Sequence, residues 1–290
     1  MTDLAPGLSA YLRRIEVQGP LKADLPTLKR IHNAHVRSIP FENLAVVLKE
    51  QVSLQAPDVE DKLVRQEGGG YCFEHNGLLA RMLRTIGFEV DELAGRARVG
   101  RERSHTPPRT HVWLRISIDG KKWMVDAGLG GLTPTMPLQW RDGAPQRTPH
   151  DMRRIICEHG RWFHQVHING AWRDVCELLL EPMPAPDREV ANWYTSQHPN
   201  SDFRSRLMAA RATEHGRATL SNRSLTLRSH SSAERRELKS ATSLRTRLAE
   251  HFGLQVSARQ AEQLFAFACA QEAEQSDDKP RPVAVSSGPA

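Results

Sequence analysis

Cysteine is scarce in this 290-residue chain, and its pattern excludes two common uses of the residue. The four cysteines, Cys72, Cys157, Cys176 and Cys269, are far apart, and none forms a C-x-x-C pair. This spacing indicates neither a disulfide framework nor a structural zinc site. Each cysteine is therefore interpreted as a small buried hydrophobe or as a reactive thiol.

Long apolar runs are also missing. No segment approaches the roughly 20 apolar residues that a membrane-spanning helix needs. The N-terminal stretch MTDLAPGLSAYLRRI carries an acid at Asp3 and lacks the apolar core of a signal peptide. We therefore expect a cytoplasmic protein that does not bind a membrane.

The signatures of nucleic-acid binding and of metal binding are absent as well. The formal net charge is +6, but it is spread along the chain without zinc-finger spacing, an RNP-like motif or a basic helix. We interpret this charge as a solvated surface that favours small anionic partners, such as phosphate-bearing molecules, over nucleic acid. His32, His35, His164 and His167 are spaced like metal ligands, yet no carboxylate or cysteine completes a ligand set, so no metal is expected.

The hydrophobic period changes along the chain. From Leu8 to about Gly87 it is helical, as in LPTLKRIHNAHVRSI, which ends before Pro40, and in FEHNGLLARMLRTIGF, with Gly87 at the C-cap. From about Glu89 it shortens to two, which predicts strands in HVWLRISI, KKWMVDAG, RIICEHG and RWFHQVHI. A mixed segment follows, with a helix in SARQAEQLFAFACAQEAEQ and a tail, 276–290, of disordered composition. This order predicts an α+β protein in three parts.

One predicted hairpin places a histidine near an aspartate. Asp119-Gly120 lies between two strand-like runs and predicts a two-residue type I′ turn, which sets the register of both strands. One face of the hairpin is then almost wholly apolar and should be buried. On the other face His111 and Asp126 are diagonal neighbours, close enough for one hydrogen bond. Such a carboxylate can orient an imidazole as a base, although a surface pair without catalytic meaning is also consistent with this register.

Cys72 is the candidate nucleophile for such a base. It follows the glycine run Gly68-Gly69-Gly70 and lies at the predicted start of a helix, where the free N–H groups favour a thiolate and can hold an oxyanion. The glycines would let a substrate or cofactor approach the sulfur. A packed, inert thiol is the alternative. His75, at i+3 from the cysteine, lacks a carboxylate to orient it and is interpreted as solvent-facing or packed.

Several segments resemble the arylamine N-acetyltransferases, in the order found in that family. The family signature Arg-Gly-Gly-x-Cys-x-Glu-x-Asn is similar to the stretch from Gly68 to Asn76. The other similar segments are IPFENL (39–44), PRTH (108–111), VDAG-LGG (125–131) and NWYTSQHPNSDF (192–203). The resemblance covers roughly the first three quarters of the chain, and agreement of independent segments makes it more specific than a lone cysteine motif.

The resemblance implies both a fold and an activity. The fold is an N-terminal helical bundle over 1–88, a central β-barrel over 89–200 and a C-terminal α/β lid over 201–275, with a cysteine-protease-like Cys-His-Asp core. The activity is ping-pong transfer of an acetyl or other acyl group from acyl-CoA to an arylamine or arylhydrazine, a reaction of xenobiotic metabolism. No permanently bound cofactor is implied, and we expect a monomer or a weak homo-oligomer.

The resemblance also assigns roles to single residues. Cys72 is the nucleophile, His111 accepts its proton, and Asp126 orients and charges the imidazole. A softer set matches family positions that line the pocket or touch CoA: Phe41 and Leu129 for the substrate pocket, and Val99, Thr110, Gly130 and Phe203 for the cofactor. Core packing is an equal alternative for Phe41 and Phe203.

Three departures from the family pattern concern the surroundings of these residues. Gly68 replaces the signature arginine, which removes its ion pair with Glu74, and Arg65 is the candidate to reach back. Leu129 stands where many bacterial members have phenylalanine, and Pro107-Pro108 stiffens the loop before the histidine. We expect these changes to affect donor preference and rate.

Three alternatives to acetyl transfer stay open. A transglutaminase-like or cysteine-peptidase enzyme shares the order of Cys, His and Asp, although IPFENL and HPNSDF count against it. A macrolactam-forming amide synthase belongs to the same family and takes a carrier-bound polyketide. A catalytically silent homologue, from a different functional class, would explain the loss of the arginine at Gly68.

Overall fold

The N-terminal region is helical, as its periodicity predicts. The computed structural model describes residues 6–229 and 232–277. Asp24 caps the second helix by accepting a hydrogen bond from Thr27 N, and Gly87 ends the fifth helix with φ +107°. A π-helical turn, Asp61–Arg65, continues directly from the fourth helix. The helices of this region are α1 (Pro6–Arg14), α2 (Leu25–Ser38), α3 (Leu44–Val47), α4 (Ala56–Glu60) and α5 (Cys72–Ile86).

Eight antiparallel strands follow and curl into a nearly closed barrel, which confirms the predicted β-barrel. The two edge strands are joined by the side chain of Gln146, which accepts a hydrogen bond from Gln139 N and donates one to Gln139 O. The strands are β2 (Glu89–Ala97), β3 (His111–Ile118), β4 (Lys121–Val125), β5 (Leu138–Gln139), β6 (Gln146–Arg147), β7 (Met152–Glu158), β8 (Arg161–Ile168) and β9 (Ala171–Pro182).

The hairpin of β3 and β4 has the predicted register. Ile118 pairs with Lys121 and Leu114 with Val125 across the turn at Asp119-Gly120. Both turn residues have positive φ, 48° and 70°, as a type I′ turn requires. The apolar face packs against the helices in one core, which includes Leu28, Ile31, Leu79, Leu83, Leu114, Ile116 and Val125. Burial of each such side chain contributes about 1.5–3 kcal/mol, so this core fixes the barrel against the helical bundle.

The C-terminal region is a second sheet covered by helices. Its five strands run in the order β1-β10-β11-β12-β13, so a short strand from the helical region forms one edge. Leu220, Leu244 and Leu264 belong to the separate core under this sheet. The elements are β1 (Phe41–Glu42), β10 (Met208–Ala212), β11 (Gly216–Ser221), β12 (Ser224–Ser229), β13 (Ala233–Glu237), α6 (Ala185–Gln197), α7 (Ala241–Arg247) and α8 (Ala258–Asp277).

These elements agree with the predicted α+β class and with its order of helices, barrel and α/β region. The exact bounds of the three parts stay a prediction. The predicted tail begins at residue 276, but α8 extends to Asp277, and 278–290 lie outside the described residues. No helix in the described ranges is both long and apolar enough to cross a membrane.

A buried chain of hydrogen bonds links the helices of the bundle. The Tyr11 hydroxyl lies 2.9 Å from His35 Nδ1, His35 Nε2 lies 2.9 Å from His75 Nδ1, and His75 Nε2 lies 3.1 Å from the carbonyl oxygen of Pro40. The carbonyl can only accept, so each imidazole donates in turn and accepts from its neighbour. This pattern fits two neutral histidines, and burial lowers the pKa of His75 to about 4. His75 is therefore packed, and the interpretation as solvent-facing is wrong.

This network predicts a loss of stability in acid. The unfolded chain takes a proton on His75 near pH 6.5, whereas the folded protein resists it until about pH 4, so the free energy of unfolding falls as pH drops between these values. His75→Gln keeps one donor and one acceptor but cannot titrate. It should reduce this slope by up to about 1.4 kcal/mol per pH unit in urea unfolding. Exposed His167→Gln is the matched control, and an unchanged slope in the His75 variant would contradict the assignment.

Candidate active site

Helix α5 begins at the candidate nucleophile. Glu74, in the first turn, accepts a hydrogen bond from Tyr71 N at 2.9 Å and so satisfies a free backbone donor at the helix start. Cys72 is the first helical residue, and its side chain is 3% exposed. Its Sγ lies 3.6 Å from the carbonyl oxygen of Thr110, on the loop that leads into β3.

The glycine run before the cysteine is packed against the protein itself. A Cβ atom on Gly69 would lie 2.4 Å from Pro40 O, and one on Gly70 would lie 2.5 Å from Glu74 Oε2. Protein atoms therefore fill the space that side chains at Gly69 and Gly70 would occupy. The sequence had suggested that this space is left for a substrate. The glycines let α5 begin close to the strand at residues 41–42.

The predicted pairing of histidine and aspartate is present and buried. His111 Nε2 lies 2.6 Å from Asp126 Oδ2, and the two residues are 2% and 0% exposed. Cys72 lines the same cavity as this imidazole, and it is one of the groups that raise the pKa of His111. Because Nε2 is held by the carboxylate, Nδ1 is the ring nitrogen left for the sulfur. The structure thus brings Cys72, His111 and Asp126 together from the start of α5, the start of β3 and the residue after β4.

The carboxylate controls the charge of the imidazole. Burial alone would lower the pKa of His111, but the charge and hydrogen bond of Asp126 outweigh it and raise this pKa to about 10. Burial likewise acts to raise the pKa of Asp126, but His111 and further hydrogen bonds keep it below its usual value. At neutral pH the pair is therefore an imidazolium and a carboxylate.

Asn76 completes the support of the aspartate, a role that the sequence analysis did not identify. Its Nδ2 donates to Asp126 Oδ1 at 3.0 Å and to Val112 O at 2.7 Å, and its Oδ1 accepts from Ala127 N at 2.8 Å. Because Asn76 follows Cys72 by four residues on α5, both lie on the helix face that meets the barrel. This four-residue spacing was the sequence signal from which the role of Asn76 could have been predicted.

The loop after Asp126 approaches the nucleophile very closely. A Cβ atom on Gly128 would lie 2.4 Å from Cys72 Cα, so no other residue fits there without movement. Gly128 N also donates to Asp126 Oδ1 at 2.8 Å. This glycine therefore sets the distance between the barrel loop and α5.

One cavity of about 840 Å³ is lined by Cys72, His111 and the residues predicted to contact the substrate or CoA. Half-exposed Val99 and exposed Asp202 lie on its lining, so its mouth is at the protein surface. Asp126 lies behind the histidine and does not line it. The predicted residues on its wall are Phe41, Cys72, Val99, Thr110, His111, Leu129, Gly130 and Phe203. Phe41 also packs on Phe203, with ring centroids 6.0 Å apart, so its two proposed roles are compatible.

Two fully buried arginines, which the sequence analysis missed, hold the loops around this cavity. Arg98 binds Glu177 and donates to the carbonyl oxygens of Glu102 and His105. Arg153 binds Asp151 and donates to the carbonyl oxygen of Leu132 at 2.8 Å. Since a buried guanidinium must be paired and hydrogen-bonded, each arginine fixes the backbone of one loop at the cavity.

The described ranges contain no group of three or more His, Cys, Asp or Glu side chains arranged to hold a metal ion. His32 Nε2 donates to the carbonyl oxygen of Asp126 at 3.0 Å, and His164 Nε2 accepts from Arg153 Nη1 at 2.9 Å. Both therefore serve as packed hydrogen-bonding groups.

Comparison with known proteins identifies the family. A family model described as N-acetyltransferase matches residues 24–261. The arylamine N-acetyltransferase of Mycolicibacterium smegmatis is 36% identical over 255 residues, which cover 87% of this chain and 93% of that protein. The chain belongs to the arylamine N-acetyltransferase family.

Solved structures of arylamine N-acetyltransferases agree with this assignment. The Salmonella typhimurium protein superposes with a TM-score of 0.86 at 32% identity, covering 92% of this chain and 100% of that one. The Mycobacterium marinum protein, solved in complex with CoA, has a TM-score of 0.86 at 32% identity and covers 90% and 99%. Membership makes the chain an acyl-CoA-dependent acyltransferase, which confirms the predicted class and argues against a transglutaminase-like enzyme.

The departures from the arylamine N-acetyltransferase pattern have local explanations. The cation beside Glu74 is Lys62, whose Nζ lies 2.7 Å from Glu74 Oε1. Arg65, the predicted substitute, instead pairs with Asp61 and Glu60, so that prediction is wrong.

The other two departures from the family pattern, Leu129 and Pro107-Pro108, lie in loops at the cavity. The side chain of Leu129 forms part of its wall, and Arg96 donates a hydrogen bond to the carbonyl oxygen of Pro107. The proline pair is thus tied to β2 on the side of the cavity that precedes His111.

The geometry predicts how the histidine titrates. The folded protein keeps a proton on His111 that the unfolded chain releases near pH 6.5, so its contribution to stability is complete below pH 6.5 and is lost as pH rises through about 10. Asp126→Asn removes the charge that raises this pKa. In a histidine-labelled NMR titration, His111 should be charged at pH 8 in the wild type and neutral in the variant.

Asp91→Asn is the matched control for this titration. Its carboxylate pairs with Arg115 on the same sheet, away from the histidine. The titration of His111 should not change in this control, whereas a neutral His111 at pH 8 in the wild type would contradict the assigned charge.

Proposed function

We propose that the protein transfers an acetyl or other acyl group from acyl-CoA to a small aromatic amine or hydrazine through a thioester on Cys72. In this proposal Cys72 is the nucleophile, His111 the acid and base, and Asp126 the group that orients and charges the imidazole. The observation that carries it is the buried hydrogen bond between His111 and Asp126, with His111 and Cys72 on the wall of one open cavity. Family membership supports the same chemistry.

The first half-reaction forms the acyl-enzyme. In this proposal His111 holds the proton of Cys72 when the sulfur attacks as a thiolate, and Asp126 stabilises the imidazolium. A new bond forms between sulfur and the acyl carbon, and the bond to the CoA sulfur breaks. His111 returns its proton to the departing CoA thiolate. The thioester made and the thioester broken are of similar energy, so the step needs no other source of free energy.

The second half-reaction consumes the acyl-enzyme. CoA leaves the cavity, and the amine nitrogen attacks the carbonyl carbon of the Cys72 thioester. His111, now neutral, accepts a proton from that nitrogen as the new amide forms and the carbon–sulfur bond breaks. Cys72 and His111 return to the thiolate and imidazolium pair. A weakly basic aromatic amine suits this step because the thioester carbonyl is already activated.

The charges of the cavity wall complement the phosphates of acyl-CoA. Arg96, Arg101 and Arg206 line it, and Asp202, which pairs with Arg101 at 2.6 Å, is its one lining carboxylate among the described residues. We assign contacts with the pantetheine arm and CoA to Val99, Thr110, Gly130 and Phe203. Thr110 lies beside the nucleophile, because its carbonyl oxygen is 3.6 Å from Cys72 Sγ.

The acceptor is assigned to the apolar wall beside the cysteine. Phe41 packs on Gly130, where an added Cβ would lie 3.4 Å from the ring, and Leu129 lies next to this glycine. An aryl ring fits against such a wall by aromatic and aliphatic contacts. Leucine in place of phenylalanine leaves this wall without one ring, which favours a different range of acceptors.

The amide synthase and the silent homologue are the remaining alternatives. An amide synthase would use the same acyl-enzyme but not turn over acetyl-CoA with simple anilines. A silent homologue would leave Cys72 unacylated. The buried, charged pair of His111 and Asp126 favours a working enzyme, since a protein without catalysis gains nothing from a reactive imidazolium beside its thiol.

Single substitutions test the assigned roles. Cys72→Ala should abolish acetylation of an aniline by acetyl-CoA, because no thioester can form. Asp126→Asn should lower kcat by on the order of 10⁴-fold, because the amide neither charges His111 nor fixes its tautomer. Cys157→Ala is the control, since this half-buried cysteine lies on β7, outside the cavity. Near-normal turnover in the Cys72 or Asp126 variant would refute the mechanism.

A further inference from the structure

Two buried carboxylates lie beside the start of helix α5. Glu42 is on strand β1, and Glu74 is in the first turn of α5. Each has one oxygen committed to a backbone donor, because Glu42 Oε2 accepts from Leu44 N at 2.5 Å and Glu74 Oε2 accepts from Tyr71 N at 2.9 Å. Two negative charges away from water require a cation close by.

Lys62 supplies that cation from the π-helical turn Asp61–Arg65. Its Nζ lies 2.7 Å from Glu74 Oε1 and 3.6 Å from Glu42 Oε1, and its side chain is 30% exposed. No other cationic side chain in residues 6–229 and 232–277 forms an ion pair with either carboxylate. Burial alone would lower the pKa of Lys62, but the two carboxylates outweigh it and raise this pKa.

The backbone of Lys62 also shapes the glycine run. Gly68 N donates to Lys62 O at 2.9 Å, and a Cβ atom on Gly68 would lie 2.9 Å from that same oxygen. A side chain at position 68 would therefore disturb the turn that carries Lys62. The glycine and the lysine form one arrangement, in which the cation comes from residue 62 instead of from residue 68.

We propose that Lys62 is a positioning residue for Cys72: by neutralising Glu74 and Glu42 it holds the start of α5 against strand β1. Glu42 N donates to Gly70 O at 2.8 Å, so the lysine closes a ring of contacts around the glycine run. Glu74 in turn fixes Tyr71, the residue before the nucleophile. The inference rests on the proposed function, because it assigns to Lys62 the placement of the sulfur that forms the thioester.

Removal of the cation should displace the sulfur without changing the cavity. In Lys62→Met, Glu74 loses its charge partner, and burial already raises the pKa of this carboxyl. A protonated Glu74 is a poorer acceptor for Tyr71 N than the carboxylate is, so the start of α5 loosens. Small displacements of a reacting group cost up to about 100-fold in rate. Lys62 does not line the cavity, so donor binding should be unaffected.

The test measures the reactivity of Cys72 in the full-length protein, per folded molecule. The rate of alkylation by iodoacetamide at Cys72 is followed by peptide mapping and divided by the folded fraction from circular dichroism. Lys62→Met should lower this rate by about 10- to 100-fold. In single-turnover acylation, the maximal rate should fall by a similar factor, with the half-saturating acetyl-CoA concentration unchanged.

Two rescue variants separate positioning from general stabilisation. Lys62→Arg keeps a cation and should retain most of the wild-type rate. In Lys62→Met combined with Glu74→Gln, the amide oxygen still accepts from Tyr71 N with no charge to neutralise, so much of the lost rate should return. Arg65→Met is the matched control, because Arg65 lies in the same turn but pairs with Glu60 and Asp61 instead of with Glu74 or Glu42.

The outcomes separate this inference from the proposed function. Wild-type reactivity of folded Lys62→Met, or a double variant no faster than Lys62→Met, would overturn the role of Lys62. A slow Lys62→Met variant, together with a Lys62→Arg variant that keeps most of the wild-type rate, supports this role. If wild-type Cys72 itself alkylates as slowly as Cys157, the proposed function fails, whatever the Lys62 variants do.

Discussion

The buried ion pair of His111 and Asp126 is the interaction on which the rest of the site depends. Two charges removed from water are tolerated only when both are paired and fully hydrogen-bonded. Asn76 from helix α5 and the backbone of Gly128 supply the remaining bonds of the carboxylate. The barrel and the helical bundle must therefore meet in one arrangement, and that arrangement places Cys72 and the imidazole on the wall of the same cavity.

The same principle, a buried charge that orders the backbone around it, recurs at the periphery of the site. Arg98 and Arg153 hold the loops on two sides of the cavity through carbonyl oxygens. Lys62 holds the glycine run before α5 through Glu74 and Glu42. Cys72 begins α5 and His111 begins β3, while loops that buried cations fix form part of the cavity wall.

Much of the fold was predictable because local rules determine it. A two-residue turn sets the register of β3 and β4, and with it the pairing of His111 and Asp126. The approach of Cys72 to that pair spans distant segments, so it came from family resemblance. Lys62, Arg98 and Arg153 could not be predicted, because nothing in one sequence distinguishes a buried cation from the many exposed ones. The π-helical turn that directs Lys62 inward has no sequence signal of its own.

The central claim is that Cys72 becomes acylated by acyl-CoA, and isolation of that intermediate tests it most directly. The protein is mixed with acetyl-CoA in the absence of amine, quenched in acid and digested, and the peptides are analysed by mass spectrometry. The account predicts one acetyl group, on the peptide that contains Cys72, and its loss when an aniline is added before the quench. Acetyl on another residue, or none on Cys72 while amine is still acetylated, would contradict it.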